Sequence, residues 1–304
     1  SYAGVIILAL YTGVARTQVI IYNALMLGAA NTILNYGLVF GMWGFPEMGI
    51  AGAAIASTTA EILAFAVFII YILLDKKNRT YRLFHMPVVD LEIIKAQLRL
   101  SMPIVLQSVV GMGSWFVFFI IIENMGKTEL AISNIMRAVY LLFMIPCWGF
   151  ASSINTLSST LIGKNKQDEV FAVTTKTALL SLMVTLFFAA SMLYMPDVVL
   201  RVGTDNENLI QQSMRLTGVL TVILAFFSVG AIYFNGLVGT GATQKALILQ
   251  IFSVVVYLTY IYMAVHVFHC SLEVAWLAEL VYWMVTLATA VWYLRSDKWQ
   301  HVDV

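Results

Sequence analysis

Apolar runs of eighteen or more residues recur from one end of this chain to the other. Each is long enough to cross the hydrocarbon core of a bilayer as a helix. The chain has 304 residues, 61% of them hydrophobic and 11% charged, and a mean hydropathy of +0.88. A soluble domain of this size needs a polar skin that such a composition does not supply. The polar-in, apolar-out alternation of a membrane barrel is absent. The sequence therefore predicts an all-α polytopic membrane protein.

A helix already under way at "SYAGVIILALYTGV" (about 1–12) is followed by eight full spans, predicted at 18–42, 48–74, 101–123, 129–162, 167–195, 207–239, 243–267 and 271–294. The chain begins with Ser1, and this opening reads as the C-terminal piece of a longer protein. The longest polar interruption is 75–100, where Leu91, Ile94 and Leu98 share one face of a short interfacial helix. It divides the chain into 1–74, the linker 75–100, and 101–304.

One side of the predicted topology gathers Arg16, Lys76, Lys77, Arg79, Arg82, Lys95, Arg99, Lys164, Lys166, Lys176, Lys245, Arg295 and Lys298. The other keeps Lys127 and Arg201 among the acids Glu47, Asp197, Asp205 and Glu207. The positive-inside rule makes the first side cytoplasmic, with the C-terminus there, in the cell membrane. A net charge of +1 gives no reason to propose nucleic acid as a partner. Cys147 and Cys270 form no framework or metal pair, and "HVFHC" (266–270) lacks the spacing and the fourth ligand of a zinc site. The "GTG" of 239–241 lacks the strand before it and the lysine-and-hydroxyl ending of a phosphate loop.

An internal repeat links the two ends. "GVARTQ" (13–18) and "GTGATQ" (239–244) stand 226 residues apart, and Tyr36 falls on Tyr262 at that offset. Allowing eight residues for the longer first external loop sets Glu61 on Glu279. Both copies run in the same direction, as in parallel-repeat transporters. Glu279 itself lies in "AWLAELVYW" with no lysine or arginine nearby in sequence. A charge at the centre of a span costs about 2.5–3.5 kcal/mol on insertion scales, so it has a partner or a job.

Four stretches resemble the multidrug and toxic compound extrusion (MATE) family of cation-coupled antiporters. They are "GVARTQVIIYNALMLGAANTILNYGLVFG" with "FPEMGIAGAAIAS" (fifth and sixth helices), "LRLSMPIVLQS" (start of the seventh), "GFASSINTLSSTLIGKNKQDE" (end of the eighth and its turn) and "FNGLVGTGATQKAL" (tenth-to-eleventh turn). The resemblance implies two six-helix bundles, of which this chain holds about eight and a half of twelve spans. It makes 1–74 the end of helix four with helices five and six, and 101–304 helices seven to twelve.

In one branch of the family an Asn and an Asp on helix five join a Thr on helix six and an Asp on helix one in a cation site. The matching places here are Asn31, Asn35 and Ser57, with Asn replacing Asp and Ser replacing Thr. Asn31 and Asn35 share a helix face, and interhelical amide bonding is the competing explanation. Other members carry an acid eight residues after the helix-seven proline and another on helix ten. Here those places hold Gly111 and Phe227 or Ser228. Gln107, Ser114 and Trp115, with Ser228 and Asn235, are the candidate substrate-cavity residues; Trp115 is suited to stacking on a flat cation, or to packing between helices. Arg137, deep in its span, is read first as the structural partner of Glu123 and second as a cavity residue. Glu61 and Glu279 complete the cation-coupling candidates. The resemblance places helices six and twelve toward the outside of their bundles, which favours a structural hydrogen bond for Glu279 over ion transport.

The resulting expectation is a monomeric, non-enzymatic secondary-active exporter of amphipathic, cationic organic compounds, needing no cofactor beyond a coupling proton or sodium, with membrane lipid around it. A flippase for lipid-linked sugars would want several basic residues in its cavity, and a passive channel would not need the tandem repeat. No zinc motif or acid pair suggests an intramembrane hydrolase.

Overall fold

In the computed structural model, residues 2–14, 16–74, 90–296 and 299 are described. Most of the predicted linker (75–89) and of the extreme C-terminus lies outside them. Eleven α-helices follow in order among the described residues: α1 (Tyr2–Gly13), α2 (Thr17–Phe40), α3 (Gly49–Leu74), α4 (Leu91–Glu123), α5 (Lys127–Gly163), α6 (Glu169–Tyr194), the short α7 (Pro196–Leu200) and α8 (Glu207–Ser213), α9 (Thr217–Val238), α10 (Thr243–Tyr262) and α11 (Leu272–Arg295). Eight segments are long and apolar enough to cross a membrane. Helices suit this setting because they satisfy their own backbone groups where no water can. The chain divides into two compact units, 1–89 and 90–304.

In the first unit α2 and α3 pack as a pair, joined by a loop with a 3-10 turn at Met42–Gly44. The packed face of α3 is a stripe of small residues, Gly52, Ala56, Ala60 and Ala64, continued by Phe68 and Ile72. Small side chains let helix backbones approach closely where lipid supplies no hydrophobic drive between them. At Gly52 the approach is closest, because a Cβ there would collide with the carbonyl oxygen of Leu38.

In the second unit α9 lies innermost, against α5, α6 and α11, while α4 packs on α10 and α10 on α11. Gly239, just after α9, faces the backbone of Asn155 on α5, and Ser159 donates to the Gly239 carbonyl at 2.9 Å. The turns after α5 and after α9 thus meet at one end of the unit.

Three sequence expectations change. The interfacial helix is no separate element: α4 runs unbroken from Leu91 through Pro103, and Asp90 caps it by accepting from the amides of Glu92 (2.9 Å) and Ile93 (3.4 Å). A proline removes one backbone bond, and here the helix continues past it. The span predicted at 207–239 holds as one helical run, Glu207–Val238, but it tightens to a 3-10 turn at Met214–Leu216 between α8 and α9. Ser213 and Thr217 bond back to the carbonyls of Leu209 and Met214 (both 2.7 Å), the kind of local competition that tightens a helix. That turn presents Arg215, which sequence patterning had left inside a span, to Glu273 at 3.1 Å. Finally, no ion pair joins Arg137 to Glu123 among the described residues. Arg137 lies ten residues, about 15 Å, along α5 from its start, whereas Glu123 ends α4. The guanidinium instead lies 4.9 Å from the ring of Phe119, one turn before Glu123.

Gly52→Val should destabilise the first unit by about 1–3 kcal/mol, the usual penalty for overpacking. Thermal unfolding in detergent checks this, with the exposed-face change Ile62→Val expected to be near neutral.

Candidate functional site

Helix α11 buries Leu272, Ala275, Trp276, Ala278, Glu279, Thr286, Ala290, Tyr293 and Leu294, among which the spacings 272–276, 275–279, 279–286 and 286–290 trace the inner stripe of a helix. Glu279 occupies a place in that stripe that apolar patterning would give to a hydrophobe, and is 5% exposed. Two other helices meet it there. Trp115 of α4 donates its indole Nε1–H to Glu279 Oε1 at 2.8 Å, and Tyr257 of α10 donates its hydroxyl to the same oxygen at 3.0 Å. Hydrogen bonds to a charged acceptor contribute about 1.5–3 kcal/mol each, so two of them offset the insertion penalty of a lone carboxylate without a basic partner.

The carboxylate opens on a cavity of about 280 Å³, walled chiefly by the rings of Trp115, Tyr140, Trp148, Tyr257, Tyr282 and Trp283, with Gly111 and Ser114. A second rank of contacts holds these rings. Trp283 Nε1 donates to the Tyr140 hydroxyl at 2.9 Å. Tyr282 packs edge-on to Trp283 at 4.9 Å and to Tyr257 at 5.8 Å, and Phe227 of α9 backs Trp283 at 4.8 Å. An anionic group ringed by aromatic faces attracts a cation both by charge and through the ring quadrupoles.

Glu279 does bond within its own bundle, as expected, but it is not peripheral: the face of α11 that carries it points into the unit. Of the substrate-cavity candidates, Ser114 and Trp115 line this cavity. Gln107, Arg137, Ser228 and Asn235 do not. Gln107 ties α4 to α10, donating to the Thr243 carbonyl (3.1 Å) while its own carbonyl accepts from Gln250 (3.0 Å). Ser228 and Asn235 bond back to the carbonyls of Ala225 (2.8 Å) and Ala231 (2.9 Å) on their own helix. Arg137 is exposed beside Phe119. Gly111 lines the Glu279 cavity, and Phe227 buttresses its wall.

In the first unit the three polar candidates come together as a chain. Asn35 Nδ2 donates to Asn31 Oδ1 at 2.8 Å, and Asn31 Nδ2 donates across to Ser57 Oγ on α3 at 3.2 Å. Glu61 is one turn further along α3, at the rim of a smaller cavity of about 200 Å³ that Asn23 also lines. Asn23, whose amide donates to the Ala64 carbonyl at 2.6 Å, was missed in sequence. Its spacing of eight residues before Asn31 puts it on the same face of α2 and was the available signal.

Glu279→Leu should orphan the indole and phenol donors and lower stability by about 1–3 kcal/mol for each. Glu279→Gln keeps an oxygen acceptor and should lose much less. Thermal unfolding of the two variants in detergent separates these outcomes.

The profile of the MatE family matches residues 103–263. The "Probable multidrug resistance protein NorM" of Thermotoga maritima is 24% identical over 289 residues, covering 95% of this chain and 61% of that protein. Its namesake from Synechocystis sp. is 34% identical over 118 residues, 38% of this chain and 26% of that protein. This chain thus spans 61% of the length of the Thermotoga relative. Among solved structures, a MOP superfamily transporter from Pyrococcus furiosus superposes with a TM-score of 0.78 at 19% identity, over 92% of this chain and 63% of that one. An outward-facing multidrug resistance MATE family transporter gives 0.74 at 21%, over 90% and 61%. At these identities the structural likeness carries the fold alone. With helices of membrane-spanning length throughout and a family profile matched over more than half of its residues, the chain belongs to the MatE family of membrane transporters.

Proposed function

We propose that the protein is a secondary-active multidrug efflux antiporter that exports amphipathic, cationic organic compounds by alternating access, in exchange for protons or sodium. The single observation that carries this is Glu279, a buried carboxylate with no basic partner in the wall of its aromatic cavity. An intramembrane acid in such a place is a default functional site, and one group that binds ion and substrate with different affinity in two states couples their movements. The NorM name of the relatives, "multidrug resistance protein", supports the substrate class. The aromatic wall suits a flat organic cation. In this account the protein works as a monomer in the cytoplasmic membrane, with the basic turns and the C-terminus in the cytoplasm, and performs no enzymatic step.

Asn31, Asn35 and Ser57 form a second polar site in the first unit, and Glu61 lies one turn from Ser57. A lipid-linked sugar flippase is disfavoured because no lysine or arginine among the described residues lines the Glu279 cavity.

Cells producing the full-length protein should extrude a fluorescent organic cation, and collapsing the transmembrane ion gradients should stop it. Extrusion that persists without a gradient would refute coupling. Glu279→Gln should reduce gradient-driven extrusion roughly tenfold or more, equivalent to about 1.4 kcal/mol, at unchanged protein level. Asn35→Ala should lower extrusion by more than it lowers the amount of protein in the membrane; loss of protein alone would assign Asn35 to helix packing.

A further inference from the structure

Taking the antiporter function proposed above as its basis, we infer that the ion exchanged at Glu279 is a proton and not sodium. Two donors converge on one carboxylate oxygen, the Trp115 indole N–H at 2.8 Å and the Tyr257 hydroxyl at 3.0 Å, both pointing hydrogens at Oε1, and the Trp283 indole also reaches the carboxylate. An indole nitrogen is a donor only and offers nothing to a metal cation. Hard cations are held by several oxygen ligands at once. Transporters that bind sodium inside the membrane take many of those oxygens from unwound backbone and the ends of broken helices.

Among the described residues no such backbone carries the groups that meet at this carboxylate. Trp115, Tyr257 and Glu279 all sit on regular α-helical turns, whose carbonyls serve the helices themselves. Among the described residues Glu279 is the one carboxylate in the cavity wall. Sodium on Oε1 would have to displace two donors, which would be left without an acceptor in a buried pocket. A proton makes no such demand. Both bonds end on Oε1, so Oε2 can take the proton while Oε1 remains the acceptor of the same two bonds.

The step balances simply. A hydronium ion from the side of higher acidity gives its proton to the carboxylate, forming the carboxylic acid and water as the organic cation leaves. On the other side the acid returns the proton to water as the next cation binds. The neighbouring elements bring few competitors. Tyr140 and Cys147 face inward from α5, Tyr257 from α10 and Tyr282 from α11 itself, while α4 and α9 contribute the neutral Trp115 and Phe227. Tyrosine and cysteine ordinarily titrate well above a carboxylate, which leaves Glu279 to carry the charge change.

The test uses the purified full-length protein in liposomes with a fluorescent organic cation. A pH gradient in sodium-free buffer should drive its transport. A sodium gradient at equal pH, with nigericin present to hold it so, should leave transport at background. Transport driven by sodium, or a pH-driven transport that requires sodium, overturns the inference. If neither gradient drives transport, the antiporter function itself fails and the inference with it. In detergent, adding the same cation to wild-type protein should release a proton to a pH-indicator dye. Glu279→Gln, which keeps the Oε1 acceptor, should release none. Undiminished release by that variant would also overturn the assignment.

Discussion

A carboxylate with no cationic partner, held inside a helix bundle by an indole and a phenol from two other helices, is the interaction on which the second unit turns. Glu279 fastens α11 to α4 through Trp115 and to α10 through Tyr257. The aromatic residues around it then settle their own polar ends on each other, as Trp283 does on Tyr140. A buried acid in an apolar setting demands such donors. The donors in turn fix which faces of three helices meet. What remains between them is a cavity walled largely by aromatic rings, with Glu279 the one carboxylate among its described lining residues.

The first unit also joins its helices through side-chain hydrogen bonds. Its α2–α3 pair packs through a stripe of glycine and alanine, close enough for side-chain amides to reach across. Asn31 bonds Ser57 one turn before Glu61, while Tyr257, 226 residues after Asn31 and so at the offset of the repeat, bonds Glu279. In both units, then, the helix before the acid-bearing helix supplies the polar group that crosses toward it. The difference lies in burial: Glu279 is enclosed, whereas Glu61 lies on the exposed side of its cavity rim.

Much of this was written in one dimension. Span limits followed from runs of apolar residues, and those predicted at 48–74 and 243–267 agree with Gly49–Leu74 and Thr243–Val267. Helix-face arithmetic put Asn31 and Asn35 together, and the weak repeat paired Glu61 with Glu279. The misses share a physical cause. Whether a helix runs through Pro103, or tightens at Met214–Leu216, depends on capping and back-bonding that compete by small margins. Arg137 was assigned to Glu123 because the two flank one hairpin, but depth along the helices, not order in the chain, decides which groups meet.

The sequence by itself determined that this chain is a set of membrane-length helices, because hydrophobic length and helical period are local properties. Only the tertiary structure decided that Glu279 is enclosed rather than peripheral, and that Trp115, 164 residues away, is its partner. It also placed Gln107 between α4 and α10, and turned Ser228 and Asn235 back onto carbonyls of their own helix, outside the lining of this cavity. Those outcomes depend on which face each helix turns toward its neighbours, and near-uniform hydrophobicity leaves that rotation almost unmarked in the sequence.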